Sequence, residues 1–452
     1  MSAAQSLPLE IISAILSLLP TRSLDAYRTK DDFLALLNAS QVCRQWYIAS
    51  LQFSYPWAAQ VVLPDVLPQQ ACEAIFQRAG QLPLSISCSN LRREARFQTP
   101  AWRFVLEDLR RVKDIRIFFD AQDQDEVLPF RQLLTKAAPH LQLCQLESQW
   151  CENAEYQGKM LRLFSGYAPA LKCLSLHTSL LPPRVDFSTL SLTHLYLHMG
   201  CREADFTPTF AEWLDVLRSQ PALAVLNLTG FRYKGIADTV VRDVSFPELR
   251  SLLLAGEYQV CGNLFQALAI PGATCDVQFD VHRTLDHFSN GMEQGIGQFL
   301  ADLDRHNGDS SRFWWSLACG AQGGLFRLQL CQSRSTAECC CLSSTGRRCE
   351  VHREGPDPNV KLLIHLANDR EEPLVNTLKV LLKTFSNSPL RKRRATFDLL
   401  PDPTTDPDLL EEIKHNLITF KDISYRVNQI TSEAFEDRLD IIDPGCDLCG
   451  RL

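Results

Sequence analysis

The chain has 452 residues, 45% of them hydrophobic and 22% charged, close to the usage of ordered globular proteins and unlike disordered or fibrous ones. At this length two or three domains, or one elongated repeat array, are expected rather than a single compact core. Its 46 Lys plus Arg against 53 Asp plus Glu leave a net charge of −7, which gives no general attraction to phosphate backbones or anionic lipid, so nucleic acid and membrane are not expected partners. The first basic residue is Arg22, and no stretch reaches the roughly 18 uninterrupted apolar residues of a membrane span. The expectation is a cytoplasmic and/or nuclear protein whose 17 cysteines are reduced.

The first element is "SLPLEIISAILSLLP", residues 6–20. Pro8 suits the first helical position because its missing N–H would be unpaired there, and Glu10 meets the positive end of the helix dipole. Ile11, Ile12, Ile15, Leu16 and Leu19 recur at helical spacing, opposite Glu10, Ser13 and Ser17, and Pro20 ends the helix. "DDFLALLNASQVCRQWYIAS" follows, with Phe33, Leu36 and Leu37, then Val42 and Trp46 four apart, which predicts one or two more short helices with Val42 and Trp46 sharing a face. A unit of about 50 residues is small for a self-sufficient core, so part of this apolar surface is available to a partner.

The residues Leu-Pro-x-Glu-Ile, then Ile-Leu-x-x-Leu-Pro, then Val-Cys-Arg-x-Trp resemble the F-box, the helical module that docks on the Skp adaptor of cullin-RING ubiquitin ligases. The resemblance covers residues 6–50. The segment between its halves is longer than in the shortest F-boxes and is similar to the lengthened version in proteins of mushroom-forming (basidiomycete) fungi, where a further Trp, here Trp57, follows. The resemblance implies that Leu7, Pro8, Ile11, Ile15, Leu16, Leu19, Pro20, Val42, Cys43 and Trp46 stand at motif positions, some facing the adaptor and others the module's own core. The competing reading is that all are core of an unrelated helical domain.

Next, Leu-x-x-Leu-x-Leu recurs: Leu171, Leu174, Leu176; Leu192, Leu195, Leu197; Leu223, Leu226, Leu228; and Leu249, Leu252, Leu254. Val112, Ile115, Ile117 and Leu141, Cys144, Leu146 fit with other apolar residues, and Leu325, Leu328, Leu330 fit again later. An irregular period of about 20 to 30 residues suits leucine-rich repeats. Pro139, Pro169, Pro221 and Pro247 each fall two residues before a template and stop what precedes it. That preceding stretch reads as helix in "FAEWLDVLRSQP", "FRQLLTKAAP" and "MLRLFSGYAP". With the template residues inward, alternate side chains form an outward face that includes Arg116, Phe118, His177, His194, Tyr196, His198 and Asn227. The Asn or Cys often found three residues after the last Leu is replaced by Ser179, Gly200, Phe231 and Glu257, so these repeats are degenerate. "FQRAGQLPLSISC" resembles the link between F-box and repeats in the same fungal proteins.

Farther on, "QGIGQFLADLDRH" and "LVNTLKVLLKTF" read as helices, "GLFRLQL" and "RATFDLL" as strands, and "LPDPTTDPD" as a loop. Cys331, Cys339, Cys340, Cys341, Cys349 and His352 crowd together, but only Cys349 and His352 have the pair spacing zinc prefers. Cys446 and Cys449 form a CxxC without a second pair, and Arg391 to Arg394, "RKRR", reads as a solvated basic turn or an import signal. No phosphate loop, GxSxG or HExxH occurs.

The fold class expected is an α/β repeat protein: an all-α F-box-like module over 1–58, an irregular leucine-rich-repeat solenoid over 59–400, clearest over 105–285, and a C-terminal cap or tail over 401–452. The resemblance implies a non-enzymatic substrate-recognition subunit of an SCF-type ligase, with the Skp adaptor and through it a cullin as partners, an unknown target protein on the repeat face, and no cofactor or metal. An F-box scaffold outside any ligase, and a zinc or thiol enzyme, are the alternatives.

Overall fold

The structure is a computed structural model and describes residues 7–19, 28–59, 61–62, 69–91, 109–119, 132–148, 161–177, 185–198, 209–231, 233, 244–270, 275–284, 313–320, 325–332, 360–366, 395–401, 411, 415 and 423–427. It divides into two compact units, Met1–Thr207 and Pro208–Leu452.

The first unit begins with four helices: α1 (Leu9–Leu18), α2 (Arg28–Ser40), α3 (Arg44–Gln52) and α4 (Tyr55–Ala58). Pro8 is the N-cap of α1 rather than its first helical residue, and its carbonyl accepts from the amides of Ile11 and Ile12, both at 3.1 Å. Helix α3 packs on α1 and α2, and the Gln45 side-chain amide donates to the Leu7 carbonyl at 2.8 Å, tying α3 to the start of α1. Behind them come strand β1 (Val61–Val62) and helix α5 (Gln69–Ala79), which packs on α4. Trp57 is buried in this junction: its indole N–H donates to the Ser50 carbonyl, and the Arg78 guanidinium lies 4.5 Å from its ring centroid. Arg111 donates to the carbonyls of Gly80 and Leu82. Gly80 has φ +58, a left-handed turn that leads α5 into the sheet at little steric cost.

A parallel sheet follows the helices. Its strands in this unit are β1, β2 (Leu84–Leu91), β3 (Val112–Phe119), β4 (Leu143–Ser148), β6 (Cys173–His177) and β8 (His194–His198), in that spatial order, each parallel to the next. The short strands β5 (Leu161–Arg162) and β7 (Val185–Asp186) pair parallel in a separate two-stranded sheet. Ile115, Cys144, Leu174 and Leu195 make one inward row and Ile117, Leu146, Leu176 and Leu197 the next, all buried. The period-2 alternation that puts them inside leaves Asp114, Arg116, Gln145, Glu147, Ser175, Tyr196 and His198 on the other face.

The prolines have a more specific role than stopping helices. The amides of Leu141, Leu171, Leu223 and Leu249 donate to the carbonyls of Ala138, Ala168, Gln220 and Phe246, each the residue immediately before the proline. Proline thus stands at the second position of a four-residue turn, where its fixed φ is already correct. The first leucine of these templates closes the turn and plugs the core two residues before its strand begins.

"MLRLFSGYAP" departs from the expected helix. Leu161–Arg162 are strand, and Leu163–Gly166 form a tight 3-10 turn in which Phe164 and Ser165 have φ +53 and Gly166 has φ +73. The turn drives both Leu163 and Phe164 into the core, which adjacent positions on a regular helix would not do as directly.

The second unit contains helix α6 (Phe210–Arg218), as the sequence predicts, then β9 (Val225–Phe231), β10 (Val244–Ser245), β11 (Ser251–Glu257), α7 (Tyr258–Ala267), β12 (Leu268–Ala269) and β13 (Asp276–Thr284). Strands β9, β11 and β13 are parallel neighbours, and β10 pairs with β12. The template leucines from Leu223 to Leu254 are all buried. Beyond them come β14 (Phe313–Gly320), β15 (Leu325–Gln332), β16 (Val360–Leu366), β17 (Ala395–Pro401) and β18 (Ile423–Val427).

Strand β15 carries the template Leu325, Leu328, Leu330, but it runs antiparallel to both β13 and β14, so it does not continue the parallel series. Only residues 321–324 separate β14 from β15, far too few for a parallel crossover, so the pair must be a hairpin. Strands β16, β17 and β18 then resume parallel pairing. Of the expected Pro/Asp loop over 400–408, Leu400 and Pro401 are instead the end of β17, and the rest lies outside the described residues, as do the expected helices over 294–306 and 374–385, "RKRR", the CxxC at Cys446 and Cys449, and Cys339, Cys340, Cys341, Cys349 and His352.

Candidate functional site

Two surfaces of the first unit carry the residues singled out from sequence. On α1 the apolar arc is wider than one core needs. Ile12 and Leu16 point inward and are fully buried, whereas Ile11 is 48% and Leu18 76% exposed on the far side, with exposed Ala14 between them. A core-facing helix ordinarily devotes about 100° of its circumference to apolar residues. Here the spacing 11, 14, 18 forms a second stripe that the module does not cover. Leu18, seven residues after Ile11, extends the helical spacing beyond the motif positions expected from sequence.

Helix α3 is built the same way: Trp46, Ala49 and Ser50 are buried, while Tyr47, Ile48 and Leu51 are exposed. Val42 does not share a face with Trp46, because it lies in the turn before α3, whose N-cap is Cys43, and it is 54% exposed while Trp46 is only 9% exposed. With Leu34 and Tyr55, eight of the ten exposed large apolar side chains among the described residues fall between residues 11 and 55. That concentration distinguishes the helical module from the other described residues. Of the motif residues, Pro8, Ile11 and Val42 are exposed; Leu7, Ile15, Leu19 and Cys43 are half-buried; Leu16 and Trp46 are core, and so hold the surface up without forming it. Pro20 lies outside the described residues.

The second surface is the outward face of the parallel sheet. In register across β3, β4, β6 and β8 stand Arg116, Gln145, Ser175 and Tyr196. A neighbouring row brings Asp114, Leu143, Cys173 and His194 into line. Phe118 pairs with Glu147 and His177 with His198. Asn227 belongs to the second unit, on β9, where the Thr229 hydroxyl donates to its side-chain oxygen at 3.0 Å.

Glu147, one of the outward positions expected from strand alternation, is the best-defined polar group on this face. Its Oε1 accepts from the Gln145 side-chain amide at 2.7 Å and from the Ser175 hydroxyl at 3.3 Å. Burial pushes its carboxyl above the ordinary range despite those two donors and the attraction of His198. Burial likewise pushes His194 down and the Tyr196 hydroxyl up to about 12, the latter with help from Cys173. Cys173 is raised to about 11 by burial, against the pull of Arg116, and Cys144 higher still. These two thiols stay protonated near neutral pH, which is the opposite of what thiol nucleophiles and metal ligands need.

Among the described residues no group of three or more His, Cys, Asp or Glu is arranged to hold a metal ion, and no helix is long and apolar enough to cross a membrane. Comparison with curated proteins gives no match for the chain. A family model described as F-box-like matches residues 4–57, so the chain carries an F-box-like helical region, α1 to α4, ahead of its parallel sheet.

Proposed function

We propose that the chain is the substrate-recognition subunit of an SCF-type cullin-RING ubiquitin ligase, acting in the cytoplasm and/or nucleus. Its F-box-like module docks on the Skp adaptor and through it on a cullin, and the parallel sheet, read as an irregular leucine-rich-repeat array, binds a target protein. The observation that carries this reading is the crowding of exposed large apolar side chains into residues 11–55, inside the matched segment. Exposed apolar side chains gathered in one small module support a docking role.

Pro8, Ile11 and Val42 form the adaptor contact with Leu18, flanked by Leu7, Ile15, Leu19, Pro20 and Cys43. In this reading the chemistry belongs to the ubiquitin-charged enzyme. The chain acts by holding a target's lysines near that enzyme, where tethering raises effective concentration.

Co-expression of the full chain with the Skp adaptor tests this. The wild type should co-purify with the adaptor and capture a cullin, and a Leu7→Ala/Pro8→Ala/Ile11→Ala variant should lose both. Failure of both proteins to hold the adaptor refutes the reading. Adaptor without cullin moves the protein to a scaffold role outside a ligase.

A further inference from the structure

Two sequence features left without a role by the docking reading meet in the fold: Trp57 and the link segment "FQRAGQLPLSISC". Helix α5 buries Cys72, Ile75 and Ala79, so Arg78, three residues after Ile75, stands at the edge of the buried stripe and is itself half-buried. From there its guanidinium lies over the Trp57 ring, 4.5 Å from the centroid. Trp57 is 1% exposed, and a cation over a desolvated indole is the strong form of this attraction. Gly80, in its left-handed turn, brings the end of α5 against the start of α4: a Cβ there would come within 3.7 Å of Oγ of Ser54, the N-cap of α4.

The Trp57 indole in turn donates to the carbonyl of Ser50, in the last turn of α3. Carbonyls there have no partner within their own helix, so the indole supplies a donor that α3 cannot. At its other end α3 is tied to the start of α1 by the Gln45 side chain. Exposed Tyr47 and Ile48 lie between these two ties, and exposed Leu51 just beyond the second.

We infer that Arg78, which lies outside the matched segment 4–57, is a positioning residue for adaptor docking: through Trp57 it holds α3, and with it the apolar side chains that α3 exposes. The inference rests on the reading of the helical module as the adaptor contact and adds a residue of α5 to what that contact needs. The docking module is then completed by α5, which packs on α4. An uncharged side chain of similar length keeps the packing on the indole and loses the attraction. Lysine keeps a cation and loses the flat guanidinium that stacks on the ring.

The test compares full-length wild type, Arg78→Met and Arg78→Lys by two measurements on the same preparations: amide hydrogen exchange of the free chain, and isothermal titration with the Skp adaptor. In Arg78→Met, exchange in the last turn of α3 should rise roughly two- to thirtyfold, the range for loss of one cation–π contact. The adaptor Kd should weaken by about twofold or more, and by no more than the exchange changes, because docking then has to restore the lost alignment. Arg78→Lys should fall between Arg78→Met and wild type in both measurements. Exchange in β4, β6 and β8 should not change, which separates a local role from general loss of the fold. Unchanged α3 exchange or unchanged Kd in Arg78→Met, lysine no better than methionine, or a rise spread over the sheet strands overturns the inference. Failure of the wild type to bind the adaptor sinks the ligase reading and this docking role with it, whereas wild-type binding that Arg78→Met leaves intact sinks only the Arg78 assignment.

Discussion

The division of α1 into a buried and an uncovered apolar stripe makes a quantitative prediction. Replacing Ile11 and Val42 together by serine removes two side chains that are 48% and 54% exposed in the free protein. Fully burying such a side chain is worth about 1.5–3 kcal/mol. Half of that remains to be gained on docking, so the pair contributes about 1.5–3 kcal/mol to the adaptor contact, or a roughly 10- to 150-fold change in Kd. Isothermal titration of the purified chain with the Skp adaptor reads this directly. The buried half of each side chain already counts toward folding, so the same variant should also lose about 1.5–3 kcal/mol of stability, and a denaturation curve shows whether it is folded under the titration conditions. Leu16→Ala is the counterpart: Leu16 is fully buried, and its truncation should cost about 2–5 kcal/mol of stability. The reasoning is refuted if Ile11→Ser/Val42→Ser leaves Kd unchanged in a folded protein.

Trp57→Ala should destabilise the first unit by about 3–5 kcal/mol, since it removes a buried ring, its hydrogen bond to Ser50 and the Arg78 contact at once; limited proteolysis should then cut near α4 and α5, and unchanged cleavage would count against the junction. In the second unit Thr209 and Glu212 form a reciprocal capping box at the start of α6, with the Glu212 amide donating to the Thr209 hydroxyl at 3.2 Å and the Thr209 amide to the Glu212 carboxylate at 2.9 Å. Thr209→Ala should therefore cost about 1 kcal/mol, seen as faster amide exchange in the first turn of α6. The Glu147 carboxyl is raised in the fold above the value of about 4.3 for a free glutamate, so the folded state holds its proton more readily than the unfolded chain. Its contribution is most favourable below the unfolded value and is lost as pH rises through the folded one. Glu147→Gln should thus gain stability over wild type as pH climbs through that window, by chemical denaturation at several pH values; a flat or reversed difference refutes the burial of this charge.

Much of the architecture is written in local pattern. Helical spacing of Ile12 and Leu16, the Leu-x-x-Leu-x-Leu templates and the prolines two residues ahead of them each specify a local conformation and an inward side, and local sterics enforce both. The same local reasoning could not foresee the tight turn over Leu163–Gly166, whose left-handed residues persist because Phe164 is buried by neighbouring segments. Nor could it tell that β15 is antiparallel, because a leucine template records which side faces inward and carries no information about strand direction. At the sites the split is similar. Periodicity marks Ile11, Leu16, Val42 and Trp46 alike as apolar, and only the packing of α1 and α2 on α3 separates the exposed pair from the buried pair. Glu147 is an ordinary outward residue until strand pairing brings Ser175 beside it and burial strips its water away. Position on a face follows from covalent geometry repeated along one strand or helix, whereas exposure and charge state depend on what other parts of the chain place next to it, which is settled only when the chain is folded.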